Sequence, residues 1–355
     1  MKKILLVAGA LLALAACQRA PKVYTIQGGD ITITVTDFGA RVMSLTAPDR
    51  EGRLENIVVG HKTAKEYLHP AGERFLGACV GPVANRIGGA SFEVDGVRYS
   101  TPVNDNGHNT LHGGFKGVDN LFWDVLSVTD SSIRFHLVHP DGLEGYPGNL
   151  DITMTYELSA ADEFSVSYVA TTDKATPVNI THHPFFCLRG EGNGSVEEYL
   201  MQINASHFIP IDAESIPTGE IAGVEGTPFD FREPHLIGER IGQDDVQLRN
   251  ARGYDHNWCI DKTCDGVESV CCVYDPVSGR YVEVLSDQPG LQFYSGNFFD
   301  GHENGSNGQP LGFRSSLALE TQKYPDAVNH AGFTPTILRP GEVYSHSCIY
   351  RFGVK

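Results

Sequence analysis

The sequence lacks the paired cysteine and histidine motifs that usually hold a metal ion. It contains no C-x-x-C, H-x-H or H-E-x-x-H spacing, which argues against a zinc site. Seven cysteines follow Cys17, an odd number that excludes a full disulfide framework. They are Cys79, Cys187, Cys259, Cys264, Cys271, Cys272 and Cys348. Residues 259–272 are predicted to be two strands around a turn at Asp265-Gly266, where one cross-strand disulfide and small buried thiols are equally compatible with the sequence.

Basic residues are scarce. The chain has 27 lysines and arginines against 44 aspartates and glutamates, a formal net charge of −17. Removing residues 1–16, which contain Lys2 and Lys3 and no acid, brings the net charge to −19. A surface this acidic repels nucleic acid and anionic lipid, so we expect no nucleic-acid partner.

A hydrophobic run long enough to span a bilayer is also missing. The apolar stretch from Ile4 to Ala16 is shorter than the roughly 20 residues that a membrane helix needs, and it follows a basic start, which indicates an export signal. Leu14-Ala15-Ala16-Cys17 resembles the lipobox of bacterial lipoproteins, which implies cleavage after residue 16 and lipidation of Cys17. An ordinary secretory signal is the alternative. Since Gln18 is not the aspartate typical of inner-membrane retention, we expect a lipid-anchored, periplasm-facing protein, with the outer membrane favoured.

No linker and no internal repeat divides the rest of the chain. Alternating apolar residues recur nearly from end to end, as in 31–35, 152–158 and 164–168, which predicts strands. Asp95-Gly96 and the segment 275–280 each separate two such runs and predict hairpins. Short helices are expected only around 63–69 and 235–242. We therefore predict a signal peptide over 1–16, a lipidated N-terminus and short tether over 17–23, and a single all-β domain, a large antiparallel β-sandwich, over 24–355.

Six clusters of polar and ionisable residues interrupt the apolar strand patterns. They are "GPVANRIGG" (81–89), "NTLHGGFKG" (109–117), "PVNITHHPFF" (177–186), "GYDHNWCI" (253–260), "GLQFYSGNFFDG" (290–301) and "SLALETQKYPDAVNH" (316–330). Each alone is compatible with a buried ion pair or a core histidine. Together they supply the charged and amide groups that bind sugar hydroxyls. A shared metal site on His182 and His183 is disfavoured, because neighbours on a strand point to opposite faces.

These segments, in this order, resemble the aldose 1-epimerase (galactose mutarotase) family. "ANRIGGASF" is similar to its Asn-Arg segment, "LHGG" to its first histidine loop and "NITHHPFF" to its Asn-Leu-Thr-Asn-His-Ser-Tyr-Phe run, and "GYDHN", "LQFYSGNFFDG" and "LETQKYPDAVNH" resemble the remaining motifs. The resemblance covers about residues 25–352. It implies a galactose mutarotase-like supersandwich and a cofactor-independent isomerase that interconverts the α and β anomers of free aldohexoses such as glucose and galactose. We expect a monomer or homodimer that binds no metal and meets the membrane only through its lipid.

The resemblance also implies roles for single residues. Glu320 matches the general base and His183 the general acid. The expected substrate-binding residues are Asn85, Arg86, His112, Asp255 and Gln292. If Glu320 and His183 lie close together, each should favour the charged form of the other, so the pKa of Glu320 should fall and that of His183 should rise.

Three positions depart from the family pattern. Pro82 replaces a common arginine, His182 replaces an asparagine, and Pro184-Phe185 replaces a Ser/Thr-aromatic pair. The first two are candidates for altering sugar preference, and the third for altering the orientation of the acid.

Other functions remain as alternatives at this point. A sugar-binding lipoprotein without turnover is disfavoured because both proton-transfer groups are present. A retaining glycosidase using Glu320 and Asp255 would need a second carboxylate about 5–5.5 Å from the first. A hexose-phosphate epimerase would need more basic residues than Arg86, and a purely structural protein would make all six clusters coincidences of the core.

Overall fold

The computed structural model describes residues 19–355, and most of its regular structure is β-strand. The strands are β1 (Val23–Gly28), β2 (Ile31–Thr36), β3 (Val42–Pro48), β4 (Leu54–Asn56), β5 (Ala78–Val80), β6 (Arg86–Ile87), β7 (Ser91–Val94), β8 (Val97–Ser100), β9 (Thr110–Leu111), β10 (Asp124–Val128), β11 (Ser132–His139), β12 (Leu150–Leu158), β13 (Glu163–Thr172), β14 (Thr176–Pro177), β15 (Thr181–His183), β16 (Phe185–Phe186), β17 (Leu200–Ile203), β18 (His207–Ile209), β19 (Ala222–Gly223), β20 (His235–Leu236), β21 (Asp255–Cys259), β22 (Glu268–Tyr274), β23 (Arg280–Ser286), β24 (Gly290–Tyr294), β25 (Leu317–Gln322), β26 (Ile337–Leu338) and β27 (Tyr344–Val354). The α-helices are α1 (Ile237–Arg240) and α2 (Val246–Ala251). None of the helices in this part of the chain is long and apolar enough to cross a membrane.

Three larger sheets form the sandwich. The nine-stranded sheet has the order β10-β11-β12-β13-β27-β23-β22-β17-β20, the six-stranded sheet the order β16-β25-β24-β21-β18-β19, and the four-stranded sheet the order β1-β2-β3-β4. Neighbouring strands in these sheets run antiparallel. The two-stranded pair β15-β5 lies beside β25. The predicted all-β sandwich is confirmed.

One large apolar core lies between the sheets. Strand alternation sends every second side chain inward, so the buried residues of β11 to β13 and β27 meet those of the other two sheets. Members of this cluster include Phe135, Met154, Tyr156, Phe164, Tyr350, Ile33, Val35, Trp258, Phe293, Leu317 and Leu319. Burying each such side chain stabilises the fold by about 1.5–3 kcal/mol, so the core holds the six-stranded sheet in place from behind while its other face is free to build a site.

The predicted hairpins and helices compare well with the structure. Val94 pairs with Val97 around Asp95 and Gly96, both at positive φ, as a two-residue hairpin turn requires. The segment 275–280 joins β22 to β23. The first predicted helix is reduced to one 3-10 turn at Glu66–Leu68, and α1 falls inside the second. Helix α2 was not predicted; the Asp245 side chain caps it by accepting from two backbone N–H groups.

The prediction for the cysteine-rich stretch 259–272 is wrong in one respect. The strand that ends at Cys259, β21, belongs to the six-stranded sheet, whereas β22, which carries Cys271 and Cys272, belongs to the nine-stranded sheet. The two strands therefore do not pair with each other across the turn. Within residues 19–355, seven cysteines are free thiols and most of them are buried.

The N-terminal segment is bound to the fold sooner than predicted. Strand β1 begins at Val23, one residue before the expected domain start, and pairs with β2. Arg19 donates to the Asp37 carboxylate at 3.0 Å, and the Lys22 backbone N–H donates to the same side chain at 2.8 Å. The predicted tether of 17–23 is therefore shorter than expected. The signal peptide and Cys17 lie outside the described residues.

Candidate active site

A polar cavity of about 110 Å³ opens on the face of the six-stranded sheet that points away from the core. Strands β15, β21 and β25 and the β6–β9 pair surround it. Its wall consists of Glu73, Phe75, Asn85, Arg86, Leu111, His112, His183, Phe185, Asp255, Tyr294, Phe298 and Glu320. Six of the seven residues predicted to act on a sugar therefore line one cavity, although they come from five distant segments of the chain.

The strand alternation of β25 places Glu320 in this cavity. Leu317 and Leu319 point into the core, and the Thr321 hydroxyl on the same face hydrogen bonds the buried His346 at 2.9 Å. Glu320 points to the opposite face, where its Oε1 lies 3.3 Å from Nε2 of His183. Its other oxygen is buried without a hydrogen bond in the protein. A buried carboxylate with a free acceptor is costly unless a ligand or proton satisfies it, which is the state of a group reserved for chemistry.

The electrostatics of this pair differ from the sequence-based prediction. Burial raises the pKa of Glu320 well above its usual range, and the negative charges of Asp255 and Glu73 raise it further. Burial lowers the pKa of His183 to about 3. The expected fall for Glu320 and rise for His183 are therefore wrong, because removing both groups from water outweighs their mutual attraction. The pair shares one proton, held mainly on Glu320.

His112 is held in a defined tautomer by Asn85. The Asn85 backbone N–H donates to His112 Nδ1 at 3.1 Å, and the His112 backbone N–H donates to the Asn85 carbonyl at 2.9 Å. Since Nδ1 accepts, the neutral ring carries its proton on Nε2. Burial lowers the pKa of His112 well below its usual range, which keeps the ring neutral. His112 is therefore a fixed hydrogen-bond donor beside His183, whose ring centre lies 5.3 Å away.

Arg86, Asp255 and Gln292 form a polar chain along one side of the cavity. Arg86 Nε donates to Asp105 at 3.0 Å, and its Nη1 lies 4.0 Å from Asp255 Oδ2. Gln292 Nε2 donates to the other Asp255 oxygen at 2.7 Å. Gln292 pairs directly with Glu320 on the neighbouring strand, yet its amide reaches Asp255 instead of the cavity wall. In this structure it positions Asp255, whose pKa is raised by burial.

Sequence reasoning missed Glu73. Its Oε1 accepts from the Phe75 backbone N–H at 2.9 Å, and the side chain lines the cavity near Glu320. Burial raises the pKa of this carboxyl. The sequence around it, "PAGERFLGA", reads as a polar turn before a strand, and nothing in that pattern distinguishes Glu73 from an exposed loop acid.

The three departures from the family pattern fall in different places. His182 points into the core, with ring centres of Tyr156 and Phe164 at 5.4 and 5.7 Å, so it is no candidate for sugar preference. The wall as described within residues 19–355 does not include Pro82, whose carbonyl accepts from the Asn179 backbone at 2.8 Å. Phe185 is part of the wall; its ring lies 4.8 Å from that of His183 and restricts the imidazole.

Three residues of the cavity also have the spacing of a metal site, a grouping that sequence reasoning did not predict. One ligand atom each of His112, His183 and Glu320 lies within 4.8 Å of the others. Coordination by His112 at Nε2 would require that nitrogen to lose the proton that its bond to Asn85 places there. The arrangement therefore fits proton transfer and hydrogen bonding to a ligand better than metal binding.

Comparison with known proteins agrees with this geometry. Residues 22–351 match the family model described as aldose 1-epimerase. The chain is 40% identical to galactose mutarotase of Sus scrofa, over 93% of this chain and 94% of that protein. It is 35% identical to aldose 1-epimerase of Escherichia coli K12, over 91% and 92%.

Two solved structures with related sequences share the fold. An aldose epimerase homologue from C. elegans superposes with a TM-score of 0.86 at 27% identity, covering 94% of this chain and 99% of that one. Galactose 1-epimerase from Lactobacillus acidophilus gives 0.81 at 27% identity, covering 95% and 96%.

The fold and the paired proton-transfer groups define an isomerase of the sugar-epimerising class. The chain belongs to the aldose 1-epimerase family. Its first 18 residues match a prokaryotic membrane lipoprotein lipid-attachment site, so it is a lipid-anchored protein of the cell envelope.

Proposed function

We propose that this protein catalyses the interconversion of the α and β anomers of free hexoses such as glucose and galactose, with Glu320 as general base and His183 as general acid. The observation that carries the proposal is the 3.3 Å approach of His183 Nε2 to Glu320 Oε1 inside a polar cavity. One base and one acid are enough to open and close a hemiacetal ring.

The reaction uses the two groups in turn. Glu320 takes the proton of the O1 hydroxyl, the C1–O5 bond breaks with its electron pair going to O5, and His183 gives its proton to O5. The open-chain aldehyde then rotates about C1–C2. Ring closure on the other face returns the proton of Glu320 to O1 while His183 takes the proton of O5, so both groups return to their starting state.

The electrostatics of the pair suit the open-chain intermediate. Ring opening leaves Glu320 as a neutral acid and His183 as a neutral imidazole, the form that burial favours. Hydrogen bonds from sugar hydroxyls to Glu320 favour its charged form while the ring is closed, and the short distance lets the proton pass to His183. The site therefore stabilises the state on the path to the other anomer rather than the closed ring alone.

The other polar residues would hold the ring while C1 stays free. His112 would donate from Nε2 to a sugar oxygen, Arg86 would donate to hydroxyl oxygens, and Asp255 would accept from a hydroxyl. Asn85 holds His112 in place and Gln292 holds Asp255. Glu73, unpredicted from the sequence, adds a second acceptor at the mouth of the cavity.

We also infer where the enzyme works. Lipidation of Cys17 leaves residues 17 and 18 between the lipid and the first docked residue, Arg19, and two residues span at most about 7 Å. The single domain would therefore sit directly on the membrane. Export and the absence of aspartate at position 18 favour the periplasmic face of the outer membrane.

A direct test follows optical rotation after α-glucose or α-galactose is dissolved at neutral pH, with the mature lipoprotein in detergent. We expect faster mutarotation, lost in Glu320→Gln by about 1,000-fold and kept in Glu157→Gln, a matched change at an exposed carboxylate of β12. No acceleration of either sugar by a folded protein would overturn the proposal and favour a sugar-binding lipoprotein, which calorimetry with the same sugars would detect.

A further inference from the structure

A second and larger cavity opens beside the catalytic one. It measures about 580 Å³ against about 110 Å³. The two share Glu73, Phe75, Leu111 and Phe298 as a common wall. They therefore form one continuous cleft, whose larger part, called here the outer cleft, is too roomy to serve only as the entrance for one hexose.

Exposed aromatic rings line the outer cleft. The Phe115 side chain is 55% exposed and Phe298 is 51% exposed, and both face this space. Large apolar side chains are expensive to leave in water, so two of them on the walls of a cleft indicate a surface that a ligand covers. The C–H faces of a sugar ring are apolar and flat enough to pack on such rings.

Polar groups in the same space are unsatisfied and negatively charged. Glu303 Oε1 is buried without a hydrogen bond, as is His61 Nε2 at 3.5 Å from it. Asp300 and Glu73 add acceptors, whereas the charge of Arg74 is already matched by Asp119 at 2.8 Å. Carboxylates accept hydrogen bonds from hydroxyls but repel phosphates and other anions, so the chemistry fits a neutral, hydroxyl-rich ligand.

The walls of the outer cleft are held in place by their own hydrogen bonds. Glu303 Oε2 accepts from the Glu73 backbone N–H at 2.8 Å, which joins two loops across the cleft. The Phe115 backbone N–H donates to Glu144 at 2.7 Å, and its carbonyl accepts from Asn120 at 3.0 Å. A site fixed before binding loses less entropy on binding.

We propose that the outer cleft is a subsite for the second sugar residue of a reducing disaccharide, whose reducing residue occupies the catalytic cavity with C1 free. The proposal rests on the proposed function and extends its substrate class. The second residue packs against Phe115, and its hydroxyls donate to Asp300 and Glu303. These added contacts lower KM and leave the proton transfers at Glu320 and His183 unchanged.

The test measures anomer exchange at equilibrium by two-dimensional exchange NMR of the anomeric protons, for glucose, maltose, cellobiose and isomaltose. We expect at least one disaccharide to have a lower KM than glucose. In Phe115→Ala its kcat/KM should fall about fivefold through KM, as expected for losing a few tens of Å² of apolar contact, with glucose kinetics unchanged. Phe115→Trp should restore the preference.

The matched control is Phe313→Ala. Phe313 is 52% exposed and its ring packs under the Arg314 guanidinium at 4.5 Å, away from both cavities, so its removal should leave every sugar unchanged. Equal losses for glucose and disaccharides in Phe115→Ala, or no loss at all, would overturn the subsite. Turnover of glucose without turnover of any disaccharide would do the same while leaving the proposed function standing; failure with all four sugars would instead count against the proposed function.

Discussion

His182 and His183 are adjacent in the chain, yet they belong to two different regions of the molecule. Both are buried, and burial lowers the pKa of each to about 3. His182 lies in the core among Tyr156, Phe164 and Tyr350, and neither of its ring nitrogens has a hydrogen bond. His183 faces the cavity, 3.3 Å from Glu320.

The difference shows that burial and a shifted pKa do not by themselves identify a catalytic histidine. What separates the two is the side of strand β15 on which each falls, since a strand turns successive side chains to opposite faces. One face supplies an aromatic core and the other a carboxylate and an opening. Strand β25 repeats the pattern, with Leu319 on the core side and Glu320 on the cavity side.

The largest expected effect is on catalysis at His183. His183→Gln keeps a polar side chain but removes the proton that O5 needs, so kcat should fall about 100- to 1,000-fold. His182→Gln, the matched change on the core face, should leave kcat within about threefold in the protein that remains folded. Polarimetry with glucose, normalised to folded protein by circular dichroism, measures both; equal losses in the two variants would contradict the distinction.

The core histidine should instead reveal itself in stability. Two ring nitrogens buried without partners carry a desolvation cost, so His182→Leu should raise the free energy of unfolding by about 1–2 kcal/mol at pH 7.5. The pKa of His182 is depressed to about 3, so the unfolded chain binds the extra proton and the wild type loses stability as pH falls below about 6.5.

Urea denaturation at pH 7.5 and pH 5.0 measures this effect. The advantage of His182→Leu over the wild type should grow by about 2 kcal/mol at the lower pH, from 1.5 pH units at about 1.4 kcal/mol each. His183→Leu is not an equivalent control because it also removes a partner of Glu320. A variant less stable than the wild type at both pH values would show that the ring nitrogens of His182 are satisfied in solution.

Much of this arrangement was predictable from the sequence because strand alternation is a local property. The pattern of 316–322 predicts which face Glu320 takes, and the adjacency of the two histidines predicts that they diverge. The hairpin at Asp95-Gly96 follows from turn chemistry alone. Ordered motifs then indicated which distant segments meet at the site.

The remainder depends on long-range packing, which the sequence pattern does not encode. The stretch 259–272 reads as one hairpin, but the chain passes from one sheet to another within it. The pKa directions of Glu320 and His183 depend on how completely the cavity wall excludes water. Glu73 reaches the cavity only because its loop is tied to Glu303 from another loop, at 2.8 Å.

A smaller effect is expected from the carboxylate that distinguishes the two faces. The pKa of Glu320 is raised by burial in the folded protein, so its contribution to stability is fully present below about pH 4.3 and is lost as pH rises through the raised value. Glu320→Gln removes this dependence. Thermal unfolding should show a Tm advantage of the variant over the wild type that is larger at pH 8.5 than at pH 5; a constant difference would argue that Glu320 is charged in the fold.

The smallest expected effect is a shift in a pH profile. Glu73 is one of the charges that raise the pKa of Glu320, whereas it is not among the causes of the shift at His183. If the shared proton resides on Glu320, the alkaline limb of the kcat/KM profile reports the loss of that proton, and Glu73→Gln should move this limb to lower pH. Glu93→Gln, at an exposed position of β7, should leave it in place. An unmoved alkaline limb in Glu73→Gln would assign that limb to His183 instead, and would restore the charged pair that the sequence alone suggested.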